Sequence, residues 1–318
     1  MIISKQKRIE KELIQVRDLA IEVTNKCNLN CDFCYANSNT KNEQLSIEKM
    51  KRAMDIVKPT GIAFTGGEPL IRHDDIVEML PYAQKFIGDD FKGIRIETNA
   101  TLSIDFNKFT LNGSSKGIHF NVSLDGFKEL HESQRGIGTF NKVVDFIKEA
   151  VDRGYWITAK GTYPDEILLG EIDYLYDFAK FCVELGLPRI RMGHVKSSGR
   201  GERSDGGENY AEINAKMMEN VQKISNMIED EYDMHISDGK PYIVPAFCGQ
   251  CGYNRNDLTL GVDGVLRLEC QFLNVPLCHY TKYTPKLHEQ GLYLMKKYNM
   301  GITNNKAFDM SGRRSVFK

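Results

Sequence analysis

A chain of 318 residues, 41% of them hydrophobic, is long enough to bury a barrel-sized core with a smaller appendage. Its 42 basic and 43 acidic residues leave a formal charge of -1, which excludes a broad electrostatic attraction to nucleic acid or to an anionic membrane. No apolar run reaches the length of a membrane span, and the opening MIISKQKRIEKELIQVRD lacks a signal-peptide apolar region, so the expected compartment is the cytoplasm.

From about residue 20 to 195, short apolar runs alternate with amphipathic stretches, the pattern of successive βα units on a parallel sheet. The expected strands are Leu19–Val23, Gly61–Phe64, Ile94–Thr98, Ile118–Leu124, Ile157–Thr162 and Arg189–Gly193. Helices are expected at Ser46–Val57, Asp74–Phe86, Ile104–Phe109, Thr139–Val151 and Gly170–Leu185. Ser46 and Thr139 read as caps, and Gly154 and Gly186 as left-handed stops. Six such units are too few for a closed eightfold barrel, so the expected fold class is α/β, a partial (β/α)6 TIM-like barrel working at the C-terminal ends of its strands. The Gly/Ser-rich stretch 196–209 reads as a loop leaving the barrel, followed by a helix at Tyr210–Ile228. Pro241–Phe247 and Leu258–Leu268 read as short strands, with an Asp263-Gly264 turn. The expected division is a barrel core over 1–205, a linker helix over 206–240 and an extension over 241–318.

Seven of the eight cysteines fall in two groups, Cys27, Cys31 and Cys34, then Cys248, Cys251, Cys270 and Cys278. A reducing cytosol disfavours structural disulfides, so the grouping points to two metal sites. Cys27-Asn-Leu-Asn-Cys31-Asp-Phe33-Cys34 directly follows the first strand, so three thiolates converge above the sheet. Three cysteines on a cubane leave one iron open to a ligand from outside the protein. A structural zinc site is the alternative; it would want a fourth close Cys or His, and the nearest histidine in sequence is His73. The remaining cysteine, Cys182, stands at helical spacing on an apolar face and reads as a small core residue.

Cys-x3-Cys-x2-Cys with an aromatic before the last cysteine resembles the pattern of the radical S-adenosylmethionine (SAM) superfamily. Gly66-Gly67-Glu68-Pro69, at the end of the second strand, resembles that family's GGEP segment. Glu97-Thr98-Asn99 resembles its TNG segment, Ser123-Leu124-Asp125-Gly126 its SLDG segment, and Arg135 an arginine that follows SLDG. The resemblance implies a SAM-binding set of Phe33, Gly66, Gly67, Glu68, Pro69, Thr98, Asn99, Ser123, Asp125 and Arg135. In that set Gly66 and Gly67 let the backbone approach the methionyl ammonium, and Glu68 adds an acceptor. Thr98, Asn99 and Ser123 would serve ribose hydroxyls and the methionyl carboxylate, with which Arg135 would pair. Lys160 and Gly161 fall where the family's fifth strand passes the adenine. Asp125 reads either as a polar substrate contact or as a turn residue. The implied chemistry is one-electron cleavage of SAM to a 5′-deoxyadenosyl radical that abstracts hydrogen from a substrate.

Cys248-Gly-Gln-Cys251, Cys270 and Cys278 resemble the cluster-binding extension called a SPASM or twitch domain. No Cys-x2-Cys-x5-Cys-x3-Cys run follows Cys278, so the smaller twitch form with one auxiliary [4Fe–4S] cluster is expected. Cys278 either completes that cluster or acts as a catalytic hydrogen-atom donor; a zinc ribbon is the alternative for the whole segment. The passage Arg189–Gly201 resembles the strand-six passage of peptide-modifying members, so the first expectation is a maturase of a ribosomally made peptide. It would draw electrons from a flavodoxin- or ferredoxin-type reductant. With only about twenty residues before the first strand, a leader peptide would dock on another surface or on a separate binding protein. The second expectation is a twitch-type small-molecule dehydrogenase or cyclase, although the chain ends Arg-Ser-Val-Phe-Lys without the Gly-Gly of the GTP cyclase. A regulatory protein that binds an Fe–S cluster or zinc is the third.

Overall fold

The computed structural model describes residues 16–39, 42–87, 93–195, 199–201, 210–232, 243–245, 257–268 and 275–290. Six parallel strands follow one another across the sheet: β1 (Asp18–Thr24), β2 (Gly61–Gly66), β3 (Ile94–Thr98), β4 (Ile118–Ser123), β5 (Trp156–Tyr163) and β6 (Arg189–His194). Each lies at the place its apolar run predicts. On β3 the buried Ile94 and Ile96 alternate with half-buried Arg95 and Glu97, and on β6 Ile190 and Met192 alternate with Arg189 and Arg191. The apolar set packs outward beneath the helices and the polar set lines the inner wall, because successive side chains of a strand point to opposite faces.

The helices include α1 (Ile47–Val57), α2 (His73–Ala83), α3 (Lys128–Arg135), α4 (Thr139–Asp152), α5 (Asp165–Gly170), α6 (Ile172–Glu184) and α7 (Tyr210–Tyr232). Ser46 caps α1, its hydroxyl accepting from Lys49 N at 3.3 Å. Gly154 and Gly186 both have φ +76°, as stops after α4 and α6 require. Three expectations are corrected, and one helix had no sequence signal. Thr139 is not a cap: Gly138 is, and Thr139 stands inside the first turn with its hydroxyl donating to Gly136 O at 2.6 Å. Ile104–Phe109 forms only a 3-10 turn, Phe106–Lys108, because the Tyr155 hydroxyl meets the Phe106 and Phe109 carbonyls at 2.6 and 2.8 Å where a longer helix would use them. Gly170–Leu185 divides at Glu171 into the end of α5 and α6. The polar helix α3, KELHESQR, has too little apolar periodicity to read from sequence.

Beyond β6 the chain returns to both edges of the same sheet. β7 (Ile243–Pro245) pairs parallel with β6, and β8 (Leu258–Leu260) pairs parallel with β1. β9 (Val265–Leu268) and β10 (Val275–His279) extend the β8 edge in antiparallel fashion. The β8–β9 turn closes at Gly264, φ +77°, whose N–H meets Gly261 O at 2.9 Å. The sheet runs β10-β9-β8-β1-β2-β3-β4-β5-β6-β7 and does not close, as expected of a partial barrel. Leu258, Leu260, Leu266 and Leu268 share one hydrophobic core with the barrel strands and helices.

Candidate cofactor site

The cluster-loop cysteines follow β1 in a turn held by asparagines. Asn39, at φ +71°, accepts from Cys27 N at 2.7 Å and donates to Leu29 O at 3.1 Å, while Asn25 accepts from Glu43 N at 3.0 Å. Cys34 N donates to Cys31 O at 3.3 Å, which curls the chain so that all three thiols stand half-buried on one loop. Cys27 Sγ accepts from Leu29 N at 3.4 Å and from Asn99 Nδ2 at 3.7 Å. Burial, with Glu68 and the other two thiols nearby, pushes the Cys27 thiol up to about 11, and burial raises Cys31 against the opposing charge of Arg135. Thiolates here need a compensating positive centre, which a bound iron–sulfur cluster supplies. Three cysteine thiols on one loop are the donor set that fits a cubane with one open corner.

The end of β2 is built against that loop. A Cβ at Gly66, whose φ is +139°, would lie 2.1 Å from Thr24 O, and one at Gly67 would lie 2.2 Å from Lys26 O. These glycines therefore let β2 press against the root of the cluster loop, with Gly67 N and Glu68 N donating to Thr24 O and Lys26 O at 2.9 and 2.8 Å. Glu68 is 1% exposed, and its carboxylate accepts from Leu70 N at 2.9 Å, Thr98 Oγ1 at 2.8 Å and Asn99 N at 2.7 Å. It ties the end of β2 to the end of β3. Burial lifts its pKa to about 7 against those donors. Pro69 is buried at the start of the 3-10 turn Pro69–Arg72, which Glu68 caps.

Across the mouth, Asp125 is fully buried. Its carboxylate pairs with the Arg135 guanidinium through Nε and, at 3.1 Å, Nη2, and it accepts from Thr162 N at 2.8 Å. His131 Nδ1 accepts from Asp125 N at 3.2 Å and so fixes the same turn. Arg135 in turn lies over the Phe33 ring at 5.1 Å, linking the SLDG turn to the cluster loop. Ser123 ends β4 on the inner wall, level with Lys160 of β5. Lys160 pairs with Glu97 at 2.5 Å, and Asn121 Nδ2 donates to the same carboxylate at 2.5 Å.

The structure thus gathers Cys27, Cys31, Cys34, Phe33, Gly66–Pro69, Thr98, Asn99, Asp125 and Arg135 at one end of the sheet. Cys278 stands apart on β10, half-buried, and Cys248, Cys251 and Cys270 lie outside the described residues. Cys182 is fully buried, as expected of a core residue. A residue missed by sequence reasoning is Arg200, whose Nε donates to Cys31 O at 2.9 Å and Nη1 to Ser38 O at 2.7 Å. The Gly-Arg-Gly triplet after β6 was its visible signal; the partner, 169 residues away, was not.

Residues 21–179 match the Radical SAM superfamily profile, which is half of the chain. This chain belongs to the radical SAM superfamily. Its enzymes use a [4Fe–4S] cluster and SAM. Among curated relatives, the "Probable GTP 3',8-cyclase" of Sulfurisphaera tokodaii is 26% identical over 79% of this radical SAM chain and 80% of its own length. The "Antilisterial bacteriocin subtilosin biosynthesis protein AlbA" of Bacillus subtilis is 28% identical over 66% of this chain, which spans 46% of it. Among solved structures, Streptococcus suis SuiB bound to its precursor peptide SuiA superposes with a TM-score of 0.65 at 16% identity, over 92% of this chain and 68% of that one. That likeness shows a shared radical SAM fold.

Proposed function

We propose that this radical SAM enzyme abstracts hydrogen from a ribosomally synthesised peptide, with residues 241–318 forming an auxiliary-cluster extension. The observation that carries the extension is the place of Cys278, half-buried on β10 at the edge of the barrel sheet. With Cys248, Cys251 and Cys270, which the sequence groups with it, Cys278 makes four thiols, the number that closes an auxiliary [4Fe–4S] cluster, and a closed cluster passes electrons rather than binding substrate. The relative named for subtilosin biosynthesis supports a peptide substrate. A second reading, a nucleotide cyclase, is favoured by the cyclase relative's match over 79% of this chain.

Bound at this site, the cluster and SAM supply a 5′-deoxyadenosyl radical by one-electron reduction. Cys27, Cys31 and Cys34 hold the cluster, and Gly66 and Gly67 set the loop that carries them. Glu68 orients Thr98 and the Asn99 backbone at the end of β3, and Ser123 offers a hydroxyl level with Lys160. Arg135, pinned by Asp125 and stacked on the Phe33 ring, places positive charge at the mouth for a carboxylate. Electrons come from a flavodoxin- or ferredoxin-type reductant, a separate leader-binding protein presents the peptide, and the enzyme works in the cytoplasm. No helix among the described residues is long and apolar enough to cross a membrane.

The test is anaerobic incubation of reconstituted enzyme with SAM, dithionite and either the deuterium-labelled product of a short reading frame beside the gene or GTP. Peptide-dependent deuterium transfer into 5′-deoxyadenosine is expected. A GTP-dependent product with no transfer from peptide supports the cyclase reading instead.

A further inference from the structure

We infer that Arg200 is the positioning residue of the cluster loop, locking the turn after β6 onto the backbone of two of its three cysteines. Arg200 N donates to Cys34 O at 3.0 Å, its Nε to Cys31 O at 2.9 Å, and its Nη1 to Ser38 O at 2.7 Å and Asn37 Oδ1 at 3.5 Å. One residue therefore holds the carbonyls of 31, 34 and 38. Gly199 makes the approach possible: at φ +61°, an added Cβ would stand 2.5 Å from both Cys34 O and Tyr35 O. Most of residues 30–39 is exposed or half-buried, so burial by itself does little to fix this half of the loop.

Two consequences follow from the chemistry. Donors to the cysteine carbonyls hold Cys31 and Cys34 near their ligating geometry before iron arrives, which slows cluster loss. A fixed guanidinium beside the loop also favours the extra negative charge of a reduced cluster, so it raises the reduction potential. A lysine keeps the charge but not the planar fork that spans Cys31 O and Ser38 O.

The inference rests on Cys27, Cys31 and Cys34 being the cluster ligands, and one experiment separates the two. The full chain is reconstituted anaerobically, iron loss to a chelator is followed, and the potential of the paramagnetic signal that SAM perturbs is titrated. Arg200→Ala is expected to lose iron about tenfold faster, the scale of one charge-assisted hydrogen bond, and to show a more negative potential. Arg200→Lys is expected to recover the potential while still losing iron quickly. Gly199→Ala keeps the arginine but pushes the turn off the loop, and should match Arg200→Ala in iron loss. Parent-like retention and potential in both Arg200→Ala and Gly199→Ala overturn the inference. A SAM-sensitive signal that survives Cys27→Ala overturns the ligand assignment and the inference with it.

Discussion

Asp125 and Arg135 were both visible in the sequence as separate cosubstrate contacts, and the structure joins them to each other. The ten-residue span between them is bridged by α3, a helix without an apolar signal, so their pairing had no legible mark. Asp125 is fully buried and Arg135 nearly so, and removing one member of such a pair leaves the other's charge dry. Asp125→Ala should therefore destabilise the enzyme by about 3 kcal/mol or more, read as a lower urea midpoint. It should also weaken SAM binding as Arg135 leaves Phe33; an unchanged midpoint would refute the pairing. The Gly66-Gly67 pair was legible as a close approach, whereas its crowding partner, the backbone of Thr24–Lys26, is set by how two distant strands dock. Gly67→Ala is expected to cut iron content by about one cluster per chain in elemental analysis, leaving the auxiliary cluster in place.

At the scale of elements, the strands were readable because their outward faces are continuous apolar sets, and the Ser46 cap because its short side chain has a local partner, whereas Thr139 bonds back to Gly136 O instead. Ser46→Ala should cost about 1 kcal/mol of stability in thermal or urea melts, with no effect on iron content. Ile104–Phe109 was misread because its competitor, the Tyr155 hydroxyl, comes from β5's approach, far along the chain. The inner wall carries its own signature at Glu97. Burial alone would raise its carboxyl, but the Lys160 ammonium, Arg95 and the Asn121 amide outweigh burial and bring it down to about 2 from 4.5. A carboxylate depressed by folding stabilises above its unfolded value, so this contribution is full above about pH 4.5 and disappears as the pH falls toward 2. Lys160→Met removes the main opposing charge, and acid unfolding followed by circular dichroism should begin at higher pH. An unmoved acid transition would show that the pair contributes nothing.

Across the whole molecule, one unclosed sheet carries the cluster loop at the top of β1 and Cys278 on β10, its outermost strand on that side. The cysteine spacing and the partial barrel were legible because both are local patterns repeated along the chain. The return of β7 to one edge and of β8–β10 to the other was not, since short strands do not announce their partners. The proposed chemistry rests on Cys27, Cys31 and Cys34 carrying the cluster that starts the reaction, apart from the metal site proposed for the extension. Its most direct test is iron quantification with dithionite-dependent 5′-deoxyadenosine formation, in the parent and in the Cys27→Ala, Cys31→Ala, Cys34→Ala triple variant after anaerobic reconstitution. The parent should hold about eight irons and form the nucleoside, and the variant about four irons and none of it. Zinc in place of iron, or 5′-deoxyadenosine from the triple variant, would contradict the account.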